Sequence, residues 1–293
     1  MANLKEVRNR ITSVGSTMQI TSAMKMVSAA KLKRAQDAIT QMRPYANKLK
    51  EILQNLSASL DVSENAYAKP TNGERILLVV VSSNRGLAGA FNANAVKKAN
   101  SLINNEYAGK QVSVIGIGKK AHDAFRRTAH TVKIDGIPDD VFEIFNDLNF
   151  NNAVPIAEAL MKSFTSGQFD RIDVIYNQFR NAAVQVTQAE RFLPIEANPA
   201  TDVNASAVDY IFEPSKEYIV GELIPSSLKT QLYKALLDSF ASEHGARMTA
   251  MHKATDNAKD MLRDLKISYN KARQAAITTE ILEIVAGAEA LNG

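Results

Sequence analysis

Residues 4–18 read LKEVRNRITSVGSTM. Apolar Leu4, Val7, Ile11, Val14 and Met18 fall at alternating spacings of three and four, the seam of a helix that packs lengthwise on another helix. The same alternation returns at Ala35, Ala38, Met42, Tyr45, Leu49, Ile52 and Leu56. The two runs are out of phase, and between them the seam meets Thr21, Met24, Ser28 and Lys31, which are mostly small or polar. Such a slip predicts a local change of winding. Residues 3–58 thus predict one helix of roughly 80 Å at about 1.5 Å per residue. Pro44 lies inside it and is expected to kink it or to end it at Arg43.

The other end of the chain mirrors this one. Residues 226–291 contain no proline, and Ser226-Ser227 after Pro225 can cap a helix start. Met251, Ala254, Ala258, Met261 and Leu265 make one seam; Ile277, Ile281, Ile284, Ala288 and Leu291 make another. Helices this long cannot bury their stripes on a small core, so they need each other or a partner. Lying at opposite ends of the chain, they can pair antiparallel.

Between them the period changes. Residues 76–81, ILLVVV, are a continuous apolar run, as in a strand buried on both faces. Further strands are expected at 112–117, 131–134, 172–179 and 184–192, the last two close enough for a hairpin. Helices are expected at 92–104, 120–127 and 155–164, with Asn92 as a cap and Asp139-Asp140 capping a further helix. This alternation implies a mostly parallel sheet with helices on its faces and an antiparallel pair at one edge. Residues 60–73 and 197–209 are polar and rich in turn formers, and read as linkers. The expected fold is α/β plus long α: an antiparallel coiled coil of N- and C-terminal helices around a Rossmann-like α/β domain. Its parts are 1–60, 74–200 and 210–293.

Composition narrows the chemistry. The 293 residues include no Cys, which excludes disulfides, thiolate metal sites and Cys nucleophiles. No apolar run is long enough to span a bilayer, and Met1 to Arg10 lack the apolar core of a signal peptide. Net charge is +4, too little to name nucleic acid as the partner. The first sixty residues hold ten Lys/Arg against three Asp/Glu. Such an arm is either a solvated helix face or a surface that meets an acidic partner. Two glycine turns follow strands: VSSNRGLAGAFN (81–92), with Gly86, Gly89 and a cationic Arg85, and Gly116-Ile117-Gly118-Lys119-Lys120. Both lack the full spacing of a phosphate-binding loop. A Rossmann-like nucleotide-binding enzyme module with helical oligomerisation arms is the alternative that these turns leave open. His122, His130, His244 and His252 form no metal motif, and Ser226-Ser227 has no nucleophile-elbow context. No catalytic constellation emerges, and no cofactor is expected.

Four segments carry a resemblance. They are ITSAMKMVSAAKLKRAQ (20–36), VVSSNRGLAGAFN (80–92), ASEHGARMTAMHKATDNA (241–258) and YNKARQAAITTEILEIVAGAEAL (269–291). Together they resemble the gamma subunit family of F-type ATP synthases, of bacterial type, over Val7 to Leu291. In the last segment Ile277-Thr278, Glu280, Glu283, Gly287 and Ala288 match the family signature. The resemblance implies a non-catalytic rotor shaft threaded through a ring of three alpha and three beta subunits. An epsilon subunit and a ring of c subunits are expected at its foot. It implies a peripheral position on the cytoplasmic face of the bacterial inner membrane, with membrane contact only through partners. By position, Met24 would face Arg247 and the beta subunits. Lys25, Lys31, Lys33 and Arg34 would meet an acidic loop of the beta subunits. Arg273 and Gln274 would hydrogen-bond a beta-subunit loop, with Thr278, Glu280 and Glu283 as polar neighbours. Ile281, Ile284, Val285, Ala288 and Leu291 would form an apolar bearing tip. Tyr210, Phe212 and Glu213 would face epsilon and the c ring.

Overall fold

The computed structural model describes residues 4–59, 66–68, 72–195 and 219–292. The chain divides into two compact units, a helical one of Met1–Ser28 with Met248–Gly293 and a larger one of Ala29–Arg247. The division cuts across both terminal helices, so each contributes to both units.

The larger unit is built on four strands, β1 (Arg75–Val81), β2 (Gln111–Ile117), β3 (Arg171–Phe179) and β4 (Gln185–Leu193), in the order β2-β1-β3-β4. β1 pairs parallel with β2 and β3, and β3 pairs antiparallel with β4. The mostly parallel sheet with one antiparallel edge is therefore present. The apolar run of β1 is split by its pleat. Leu77, Val79 and Val81 enter the core under helix α4 (Phe150–Thr165), while Ile76, Leu78 and Val80 enter the core under helices α2 (Phe91–Ser101) and α3 (Lys119–Phe125). Fully burying each such side chain is worth about 1.5–3 kcal/mol. The first turns of the last helix, α5 (Ile224–Asn292), add Ile224, Leu228, Leu232 and Leu236 to the first of these cores.

Several expectations are corrected. Residues 131–134 form no strand; Thr131 makes a single bridge to Val114 before Gly136, at φ +88°, turns the chain away. Helix α4 starts at Phe150, ahead of Pro155, because Asn149 Oδ1 accepts from the Asn152 N–H at 2.9 Å. Asn92 does not cap α2: its side-chain oxygen accepts from the Ser83 N–H and hydroxyl. Asp140 makes no side-chain cap, and Asp139 binds the Lys133 ammonium at 2.6 Å instead. Ser226 and Ser227 cap nothing, since a π-helical turn at Ile219–Leu223 leads directly into α5 and Pro225 takes the first turn, where no N–H is needed.

Helix α1 (Leu4–Ser59) runs unbroken through Pro44. Thr40 and Pro44 are both exposed, so the carbonyl that loses its donor faces solvent. Nor does its seam slip. The shielded positions run Val7, Ile11, Val14, Met18, Thr21, Lys25, Ser28, Leu32, Ala35, Ile39, Met42, Ala46 and Leu49, alternating four and three throughout. Tyr45, expected on the seam, is 57% exposed. On α5 the same correction moves the seam from Met261 to Leu262, giving Met251, Thr255, Ala258, Leu262, Leu265, Tyr269 and Ala272.

In the helical unit the two helices run antiparallel. Arg8 meets Tyr269, Thr21 meets Thr255, and Lys25 meets His252. Polar Thr21 is tolerated in the seam because the Thr255 hydroxyl donates to its oxygen at 2.9 Å.

Candidate partner-binding surfaces

The second glycine turn, 116–120, holds no open anion cradle. The amides that open α3, where a phosphate would sit in a nucleotide-binding fold, are taken by the loop after β1. Lys119 N donates to Asn84 Oδ1 at 3.1 Å, Lys120 N to the Ser83 carbonyl at 3.1 Å, and Ala121 N to Ser82 Oγ at 2.7 Å. A Cβ on Gly118 would lie 2.2 Å from the Ser82 carbonyl oxygen, and one on Gly116 2.5 Å from the His122 nitrogen. These glycines serve close backbone packing. Among the described residues no group of three or more His, Asp or Glu could hold a metal.

The loop after β1 is instead held from α5 by Arg247, which is buried. Its Nη1 donates to Glu243 Oε1 at 2.6 Å, and its Nη2 donates to the carbonyls of Arg85 and Gly86 at 3.2 and 3.3 Å. Burial pushes the Glu243 carboxyl up, against the pull of Arg247. His244 packs edge-on to Phe240 at 4.5 Å. Burial, then Arg247 and Lys31, push its imidazole down to about 3, so it is neutral. The Arg247 guanidinium, which the resemblance places near partner subunits, makes these bonds within the larger unit. The loop it holds displays Leu87, left-handed at φ 62° and 64% exposed. Sequence reading missed Glu243, although the i,i+4 spacing to Arg247 was a usable signal. Leu87 between two glycines gave none.

In the helical unit a cleft of about 350 Å³ is lined by Met18, Ser22, Lys25, His252, Asp256 and Lys259. His252 Nδ1 lies 3.4 Å from Lys25 Nζ and 3.3 Å from Asp256 Oδ2. Met24 and Lys25 are both half-buried on α1. Within the larger unit Lys31 and Arg34 are exposed on α1, and Lys33 pairs with Asp37 at 2.8 Å.

Beyond Ala272 every described side chain of α5 is exposed. Arg273, Gln274, Thr278, Glu280 and Glu283 lie here, with Ile281, Ile284, Val285 and Ala288. Ile281 is 55% and Ile284 67% exposed. The Thr278 hydroxyl only donates back to the Gln274 carbonyl at 3.0 Å. The Leu291 side chain and all of Tyr210, Phe212 and Glu213 lie outside the described residues. Among the described residues no helix is long and apolar enough to cross a membrane.

Comparison with known proteins agrees along the whole length. A family model described as ATP synthase matches residues 3–291. The ATP synthase gamma chain of Flavobacterium johnsoniae is 62% identical, with all of both chains covered. That of Chlorobium phaeobacteroides is 46% identical with the same coverage. Among solved structures, the central stalk and c-ring of Tetrahymena thermophila mitochondrial ATP synthase contains a chain 26% identical, with a TM-score of 0.57 over 80% of this chain and 99% of that one. A chain of the Euglena gracilis mitochondrial ATP synthase is alike in fold, at 22% identity and a TM-score of 0.68 over 98% of this chain and 94% of that one. The match over residues 3–291 and the relatives covered over their full length show the family: this chain belongs to the ATP synthase family, among its gamma chains.

Proposed function

We propose that the chain is the central rotor shaft of an F-type ATP synthase, transmitting torque between a membrane c ring and a catalytic ring of three alpha and three beta subunits. In this reading residues 1–60 and 210–293 wind as an antiparallel coiled coil and form the spindle. Residues 74–200, Rossmann-like in plan, form its foot beside epsilon and the c ring, towards the cytoplasmic face of the membrane. Chemistry stays in the ring. An asymmetric shaft presents a different face to each of three equivalent catalytic interfaces and biases each to its own conformation and nucleotide affinity.

The observation that carries this reading is the end of α5. Ile277, Ile281, Leu282, Ile284 and Val285 are all large, apolar and exposed, and a contiguous apolar surface of this kind marks an interaction site. An apolar sleeve suits it: contacts without directional bonds create no deep rotational minima. Arg273 and Gln274 at its base are then the polar groups available to a beta-subunit loop. Lys25, Lys31, Lys33 and Arg34 offer positive charge to an acidic loop, with Met24 as a soft contact among them. The nucleotide-enzyme alternative is less favoured, since the amides of its second glycine turn are taken by Ser82, Ser83 and Asn84.

Co-purification on a tag placed on this chain tests the proposal. Three alpha and three beta chains with one epsilon per tagged chain are expected. Recovery of the chain alone from cells that express all of them, or nucleotide binding abolished by Arg85→Ala, would overturn it.

A further inference from the structure

We propose that Arg43 is a positioning residue for torque transfer: its guanidinium joins helix α1 to the end of strand β3 and to helix α5, so that the three turn as one body. The inference rests on the rotor reading and names the joint at which rotation would pass from helix to foot. Arg43 Nη2 donates to the Phe179 carbonyl at 2.7 Å and to Asp238 Oδ1 at 2.5 Å. Arg43, Phe179 and Asp238 all belong to the larger unit. The Asp238 side chain is 0% exposed. The joint sits beside Pro44, where α1 has lost a ladder hydrogen bond and is locally softer.

Stability alone does not account for this pair. A buried ion pair roughly breaks even against well-packed apolar groups of the same size. This one is also incompletely satisfied, since Arg43 Nε and Asp238 Oδ2 have no hydrogen-bond partner among the described residues. What hydrogen bonds supply and apolar contact does not is direction. Apolar surfaces slide past one another at little cost, whereas a guanidinium bound to two fixed oxygens resists shear. The α5 side of the joint is fixed in the same way. The Ser242 hydroxyl donates to the Asn177 carbonyl at 2.8 Å, and Gln231 Nε2 donates to the Arg191 carbonyl at 3.2 Å. Gly245 lets α5 come so close to the hairpin that a Cβ would lie 3.3 Å from Ala182 Cα.

The test uses the whole complex in sealed vesicles, with ATP hydrolysis, ATP-driven membrane potential and thermal stability read together. Arg43→Met and Asp238→Leu each strand a buried charge or donor and should lower Tm. The double variant should regain Tm, the two losses being non-additive for neighbouring residues, yet generate less potential per ATP hydrolysed than the unmodified complex. A double variant with native Tm and native potential per ATP would overturn the joint and leave a packing role only. Asp238→Asn, which keeps the acceptor for Nη2, decides the matter should the double variant not assemble. Potential per ATP near native in Asp238→Asn but lowered in Asp238→Leu supports the joint, and equal values in the two refute it. Failure of the unmodified complex to couple would instead strike the rotor reading itself.

Discussion

Arg8 Nη2 donates to the Tyr269 hydroxyl at 2.9 Å while its guanidinium carbon stands 5.8 Å from the centre of the same ring. This pair lies close to where α1 begins, and α5 continues past it to Asn292 with no described side chain shielded after Ala272. Helices of this length gain most of their stability from packing a face, not from intrinsic propensity. Amides from Arg273 onward should therefore exchange hydrogen rapidly in the isolated chain, while those around Thr21 and Thr255 stay protected. In the assembled complex the same amides should slow by orders of magnitude. Equal exchange in the two states would remove the sleeve from the account.

Ending the chain after Ala272 should leave the larger unit untouched. That unit ends at Arg247, well before the cut. Its unfolding free energy, from denaturant titration, should stay within about 0.5 kcal/mol of the full chain, as for changes away from buried features. The complex carrying the shortened chain should hydrolyse ATP with impaired coupling to ion transport. A parallel loss of fold, seen by circular dichroism, would show that the exposed segment serves stability and not partners.

Arg247→Ala should be among the most destabilising changes in the larger unit. It strands Glu243 in a buried site and frees the carbonyls of Arg85 and Gly86. Breaking one side of a buried pair costs about 3–5 kcal/mol. Protonation of Glu243, already favoured by burial, relieves part of this, so the cost should shrink as pH falls. Chemical denaturation at several pH values measures both. A cost below about 1 kcal/mol, the worth of an ordinary hydrogen bond, would show that the loop is held by something else.

How much of this was legible in the residues depends on the range of the interactions. The six-residue run Ile76–Val81 announced a doubly covered strand, and its alternate residues divide between two cores as a period of two demands. The absence of proline after Pro225 announced the length of α5. Seam phase was not legible. Ala38 and Ile39, or Tyr45 and Ala46, offer adjacent apolar choices, and only the surface opposite decides between them. The polar seam residues Thr21 and Ser28 read as a slip because the partner that satisfies Thr21, Thr255, lies 234 positions away. Arg43 and Asp238, 195 positions apart, were invisible for the same reason. The apolar tip is legible only through the family signature; the exposure of its described side chains needed coordinates.

His244 supplies a pH dependence whose sign is fixed by its surroundings. Its imidazole is pushed from 6.5 to about 3, first by burial and then by Arg247 and Lys31. The groups facing it are Arg247 on α5 and Lys31 on α1, with the Phe240 ring against its edge. Between these two pH values the unfolded chain binds a proton at this site and the folded chain does not. Stability must then rise with pH across the window, being full above about 6.5 and falling as pH drops towards about 3. His244→Gln keeps a polar side chain of similar reach without the titration. It should flatten this part of the stability profile, measured as the denaturation midpoint against pH, while Glu243 and Arg247 remain paired. An unchanged slope in the variant would assign the acid sensitivity to Glu243 or to other carboxylates, and would show that His244 contributes shape alone.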